Sequence, residues 1–186
     1  MKITSIQYYD GAKEKVCRLG LSDLYLELLQ IILDTKIFVL EEPKKNSAAF
    51  IREALDARFA SGEKWIKTVS GGIDWVKTMR YNSTVITKLG VEVQVSARSD
   101  LLIRDIVHLR NAIQQGKIDA GVIVVPSDRL QSFLTDRTPS LRDAQRYIEE
   151  EFKEASTFPI IVVAVEYDGT GEALPKKRTN PGQSNA

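Results

Sequence analysis

The chain has 186 residues, 43% of them hydrophobic and 27% charged, with a formal net charge of +1. That length favours one domain with a sizeable core, and the composition is that of a soluble globular protein. The near-neutral balance weakens an argument for nucleic-acid binding from bulk charge and leaves a local basic face open. Cys17 is the single cysteine, so no intrachain disulfide forms, and a reducing compartment suits the chain. The opening MKITSIQYYDG lacks the apolar core of a signal peptide, and no stretch is apolar for long enough to span a bilayer. A cytoplasmic protein with no membrane partner is expected.

Residues 3–9 alternate weakly and end at Asp10-Gly11, which predicts a short strand and a turn. Ser22 is placed to cap a helix whose Leu24, Leu26, Leu28, Leu29, Ile31, Ile32 and Leu33 cover more than one face, the pattern of a largely buried helix. Residues 36–40 (KIFVL) read as a strand stopped by Pro43. Asn46 or Ser47 then caps a helix with Phe50, Ile51, Leu55 and Phe59 as its buried stripe, closed at Ser61-Gly62.

Residues 71–96 carry the candidate chemistry. Asp74 lies inside the strand-like run of Ile73, Trp75 and Val76, and residues 91–95 (VEVQV) alternate strictly. A side-chain period of two puts Glu92 and Gln94 on one face and Val91, Val93 and Val95 on the other. The intervening loop of Tyr81, Asn82 and Ser83 allows the two strands to be neighbours, which brings Asp74 beside Glu92 and Gln94. Two carboxylates and an amide oxygen, with the Val93 carbonyl between them, form an oxygen-only set that suits Mg²⁺ better than zinc. Such a set fits metal-assisted phosphodiester hydrolysis. Taken alone, VEVQV is also the ordinary pattern of a half-buried strand with its polar face in water.

Further along, residues 99–115 read as a helix with Leu102, Ile106, Leu109 and Ile113 as the main stripe, widened by Leu101, Ile103 and Val107, and closed by Gly116. Residues 118–125 are a buried strand stopped by Pro126, and 127–139 a polar loop. Residues 140–155 form a helix and 158–167 a second continuous apolar strand. From Asp168 the chain loses apolar content and reads as a solvated tail, in which Lys176, Lys177 and Arg178 are a solvated charge run. Apolar strands separated by amphipathic helices predict an α/β sandwich, a central mixed β-sheet flanked by helices.

Asp74, the Glu92-x-Gln94 triplet, the helix after it and IDAGVIVVP at 118–126 together resemble the BglII/BstYI branch of the type II restriction endonucleases, within the PD-(D/E)xK nuclease fold. Glutamine stands where most of that fold has lysine. The similarity runs over residues 48–167 and includes the helix ending in Gly62 with Trp65 after it.

The resemblance implies a restriction-endonuclease-like sandwich, with one catalytic domain over 1–168 and a flexible tail over 169–186. It implies Mg²⁺ held by Asp74, Glu92 and the Val93 carbonyl, with Gln94 orienting the attacking water and Glu53 as an outer acid. Lys77 would hold a scissile-strand phosphate. Ala97, Arg98 and Ser99 at a helix start, and Ser127, Asp128 and Arg129 after the apolar strand, would contact double-stranded DNA. Arg98 is the first choice for bridging guanine O6 and N7.

The implied substrate is a short palindrome with a GATC-like core, cut by a homodimer through the 99–115 and 140–155 helices, with a cognate methyltransferase acting on the same site. His108 is expected to be structural or interfacial. The competing expectations are a structure-specific repair or recombination nuclease of the same fold and a non-catalytic DNA-binding module.

Overall fold

The computed structural model describes residues 1–18, 20–68, 72–95, 100–135 and 137–175. In chain order it comprises β1 (Lys2–Tyr8), α1 (Ala12–Val16), α2 (Leu21–Asp34), β2 (Phe38–Val39), α3 (Ala48–Ser61), β3 (Ile66–Lys67), β4 (Trp75–Tyr81) and β5 (Thr84–Val93). Then follow α4 (Asp100–Gln114), β6 (Ala120–Pro126), α5 (Asp128–Phe133), α6 (Leu141–Arg146), β7 (Ile160–Glu166) and β8 (Gly169–Thr170). A six-stranded mixed sheet runs β1-β7-β6-β5-β4-β3. The three middle strands β5, β6 and β7 are parallel, and β1, β4 and β3 join antiparallel. The α/β sandwich expected from the element order is what forms.

Strand alternation divides the core. Val91, Val93, Val122, Val124, Ile161 and Val163 pack with α2 and α3 on one face of the sheet. Ile123, Val125, Ile160 and Val162 pack with α4 and α6 on the other. Glu92 lies between Val91 and Val93, so its side chain faces α4. Gly121 on β6 lets that helix come close, since a Cβ there would stand 3.0 Å from both methyls of Leu109. β4 and β5 are joined through Asn82 and Ser83, whose φ angles of 45° and 67° are those of a tight hairpin turn that follows the strand twist.

Several expectations shift. α2 starts after Gly20, not at Ser22, and buries one face only, leaving Leu26 62% and Leu33 40% exposed. Its leucines exceed what one face holds. β2 does not enter the main sheet and pairs in parallel with β8. The stretch expected to be a polar loop contains α5, capped by the Ser127 hydroxyl accepting from the Leu130 N–H at 3.0 Å. The helix expected over 140–155 breaks into α6, a π-helical turn over Tyr147–Glu151 and a 3-10 turn over Lys153–Thr157.

The chain past Glu166 is tied down through residue 174. Asp168 accepts from the Ile37 N–H at 2.8 Å and pairs with the Met1 ammonium at 3.0 Å. Leu174 is buried, its N–H reaches Asn46 Oδ1 at 3.2 Å, and its carbonyl accepts from Ser47. These contacts join residues far apart in the chain, which composition does not register. Lys176, Lys177 and Arg178 lie outside the described residues.

Candidate active site

Pairing of β4 with β5 begins at Trp75 opposite Val91, so β5 runs on past the start of β4. Asp74 takes over beyond that point. Its Oδ2 accepts from the Val93 N–H at 2.9 Å, and its own N–H donates to Glu92 Oε2 at 3.2 Å. Asp74 and Glu92 therefore meet, each held by the other strand's backbone.

On the α4 side Glu92 is 1% exposed, and its Oε1 has no hydrogen-bond partner. It faces Asp105, which is 3% exposed, and His108, whose Nδ1 is 3.7 Å away and also without a partner. One donor atom from each of the three lies within 4.8 Å of the others. Burial pushes the Glu92 carboxyl well above the usual range, and the charges of Asp105 and Asp74 push it further. Asp105 is raised for the same reasons, burial first and then Asp74, with Arg104 at 3.6 Å a partial offset. His108 is lowered by burial and by Arg104. A divalent ion with bonds of about 2.0–2.2 Å holds its donors roughly 3–4.4 Å apart, and the Glu92–His108 separation falls in that window. Buried acceptors without donors, crowded with like charge, are a donor set that suits a cation.

The α3 side differs. The Arg52 guanidinium reaches Asp74 Oδ1 at 2.7 Å with Nη2, donates to the Val93 carbonyl with Nη1, and pairs with Asp56 through Nε at 3.3 Å. Asp56 is further held by Lys67 at 2.9 Å and the Trp75 indole at 2.8 Å. On this side the carboxylates are matched by cations.

The other residues singled out in the sequence lie as follows. Gln94 is buried on the Glu92 face, and its backbone N–H donates to Val124 at 2.8 Å. Glu53 is exposed on α3, where Arg52 is the residue that reaches Asp74. Lys77 is on the opposite face from Glu92, buried, paired with Glu27 and 5.8 Å from the Trp65 ring. Ser127 caps α5 and donates to Glu166, while Asp128 Oδ1 accepts from the Arg142 N–H at 3.3 Å. Arg129 is over the Tyr167 ring at 5.2 Å and 3.6 Å from Glu41. Ala97, Arg98 and Ser99 lie outside the described residues.

Sequence reasoning passed over Asp105, Arg52 and Asp56. Asp105 had a signal, an acid at i+3 from Leu102 and beside Ile106 on the buried stripe of α4. Arg52 and Asp56 had only an i, i+4 spacing, which marks ion pairs on countless solvated helices.

A mixed sheet between helices, with carboxylates gathered where two strands part, is the restriction-endonuclease-like architecture. A family model described as restriction endonuclease BamHI matches residues 22–179, most of the chain, and the chain belongs to that family. It is a type II restriction endonuclease, a nuclease acting on DNA, and enzymes of this family use divalent metal ions. Among curated proteins no match was found. Among the described residues no helix is long and apolar enough to cross a membrane.

Proposed function

We propose that the protein is a Mg²⁺-dependent endonuclease of the BglII/BstYI kind that cuts both strands of DNA at a short palindrome with a GATC-like core. The observation that carries this reading is the meeting of Asp74 with Glu92 through Oε2, while the other Glu92 oxygen, Oε1, is buried without a partner beside Asp105 and His108. Asp74, Glu92 and the Val93 carbonyl would hold the ion, with Asp105 and His108 closing the site from α4. A divalent ion supplies positive charge opposite the phosphate oxygens and makes the attacking water easier to deprotonate.

The chain's own groups do the rest. Gln94, on the Glu92 face, orients the water through its amide but takes no proton, since a neutral amide is not a base near pH 7. The proton leaves to solvent or to a substrate phosphate oxygen. Burial of the carboxylates strengthens every charge interaction in the site. Arg98, which precedes α4 in the sequence, is the proposed guanine contact. Reading a palindrome requires a two-fold dimer, each protomer cutting one strand, with the half-buried Leu101, Ile103 and Val107 of α4 in its interface.

Digestion of unmethylated phage DNA with and without Mg²⁺, followed by sequencing of fragment ends, tests this. Discrete fragments sharing one short palindrome at their ends are expected, and none from Glu92→Ala. A smear, or preference for branched or nicked DNA, overturns the site-specific reading.

A further inference from the structure

Arg52 occupies an unusual position. Its guanidinium is bonded to Asp74 Oδ1 at 2.7 Å and to the Val93 carbonyl, and these are two of the three oxygens proposed to hold the ion. A guanidinium on those oxygens opposes a divalent ion there, because it neutralises the charge that would attract the ion and its own positive charge repels a second cation at close range. Asp74, Glu92 and Asp105 are packed together, so removing all positive charge would leave adjacent carboxylates unbalanced. The Nε–Asp56 contact at 3.3 Å gives Arg52 a second anchor outside the site, which retains the side chain nearby after it lets go of Asp74.

We propose that Arg52 is an internal counter-ion that competes with the divalent ion for Asp74 and the Val93 carbonyl, and so couples metal loading to DNA binding. The inference rests on the metal-site reading above. Without DNA, Arg52 keeps the site assembled and weakens metal binding. A DNA phosphate offers the guanidinium a planar, two-oxygen partner of the kind it binds best. Arg52 then leaves the carboxylate, and the vacated oxygens take the ion. By linkage, DNA tightens metal binding and metal tightens DNA binding by the same factor. The free enzyme is thereby kept poorly loaded until substrate arrives.

The test is a calorimetric titration of Ca²⁺ into wild-type protein, Arg52→Gln and Arg52→Lys, each without DNA and with a short duplex. Without DNA, Arg52→Gln is expected to bind Ca²⁺ on the order of tenfold more tightly than wild type, about 1.4 kcal/mol. Arg52→Lys, which keeps the charge but loses the fork, falls between. The duplex is expected to tighten Ca²⁺ binding in wild type and to do so much less in Arg52→Gln. Equal or weaker Ca²⁺ binding by both variants, with wild type binding normally and Asp74→Asn abolishing it, overturns the role of Arg52 and leaves the metal site standing. Ca²⁺ binding that survives Asp74→Asn, or is absent from wild type and variants alike, overturns the metal site and this inference with it. Thermal melts in chelator guard against a folding artefact. Arg52→Gln should melt lower than wild type there and recover more on adding Ca²⁺.

Discussion

The two sides of Glu92 are built on opposite electrostatic plans. Toward α3, Asp74 and Asp56 are matched by Arg52 and Lys67 at hydrogen-bond distance. Toward α4, Glu92 and Asp105 face an imidazole with a lowered pKa, and Arg104, at 3.6 Å and largely exposed, partly offsets Asp105. A folded chain that needed only stability would have balanced both sides, since an unpaired buried carboxyl costs free energy. Such an imbalance is the pattern of a site where stability is given up for chemistry, and it supports the proposed site.

The largest expected effect comes from removing either carboxylate common to both sides. Asp74→Ala and Glu92→Ala should each lower single-turnover cleavage by about 10³-fold or more, since metal-assisted charge stabilisation contributes several kcal/mol and each 1.36 kcal/mol is tenfold. DNA binding in a gel shift should survive both changes. Substitutions confined to the unbalanced side come next. Asp105→Asn and His108→Ala should weaken metal binding by roughly 10–100-fold, the usual effect of groups supporting a metal site. Affinity unchanged in both would separate the α4 cluster from the cation site.

Stability sharpens the contrast from another direction. The raised Glu92 carboxyl is neutral more readily in the folded than in the unfolded chain. The folded state therefore binds more protons, and metal-free stability falls as pH rises from the ordinary carboxylate range toward the raised one. Glu92→Gln removes that slope. It should raise the Tm of metal-free protein above neutrality by roughly 2–4 °C for each kcal/mol relieved, while a melt of the variant with Mg²⁺ should show no further gain. A variant that melts lower than wild type in chelator at every pH would contradict the unbalanced charge.

The smallest effect is expected on the balanced face. Lys77, paired with Glu27, should cost about 1 kcal/mol of stability when changed to Met, discounted because Glu27 is partly exposed. Its DNA affinity and salt dependence should stay near wild type. A salt slope lowered by about one unit would instead put Lys77 on a phosphate.

Much of the site was legible because its parts are local. Period-two alternation places Glu92 and Gln94 on one face, and a hairpin signal at Asn82 and Ser83 makes Asp74 their neighbour. What escaped depended on distance along the chain. The link from Arg52 to Val93 spans 41 residues. The Asp168 carboxylate takes the Ile37 N–H and the Asn46 side chain takes the Leu174 N–H, across 131 and 128 residues, so a stretch that looked like a solvated tail is partly anchored.

By itself the sequence determined the order of the main strands and helices, the mixed sandwich and the pairing of two acids on adjoining strands, since periodicity and turn chemistry act between near neighbours. Only the tertiary structure decided which acid is neutralised and which is left open. That choice turns on how closely α3 and α4 pack against β5, and charge interactions depend on distance in space, which no spacing in the chain records.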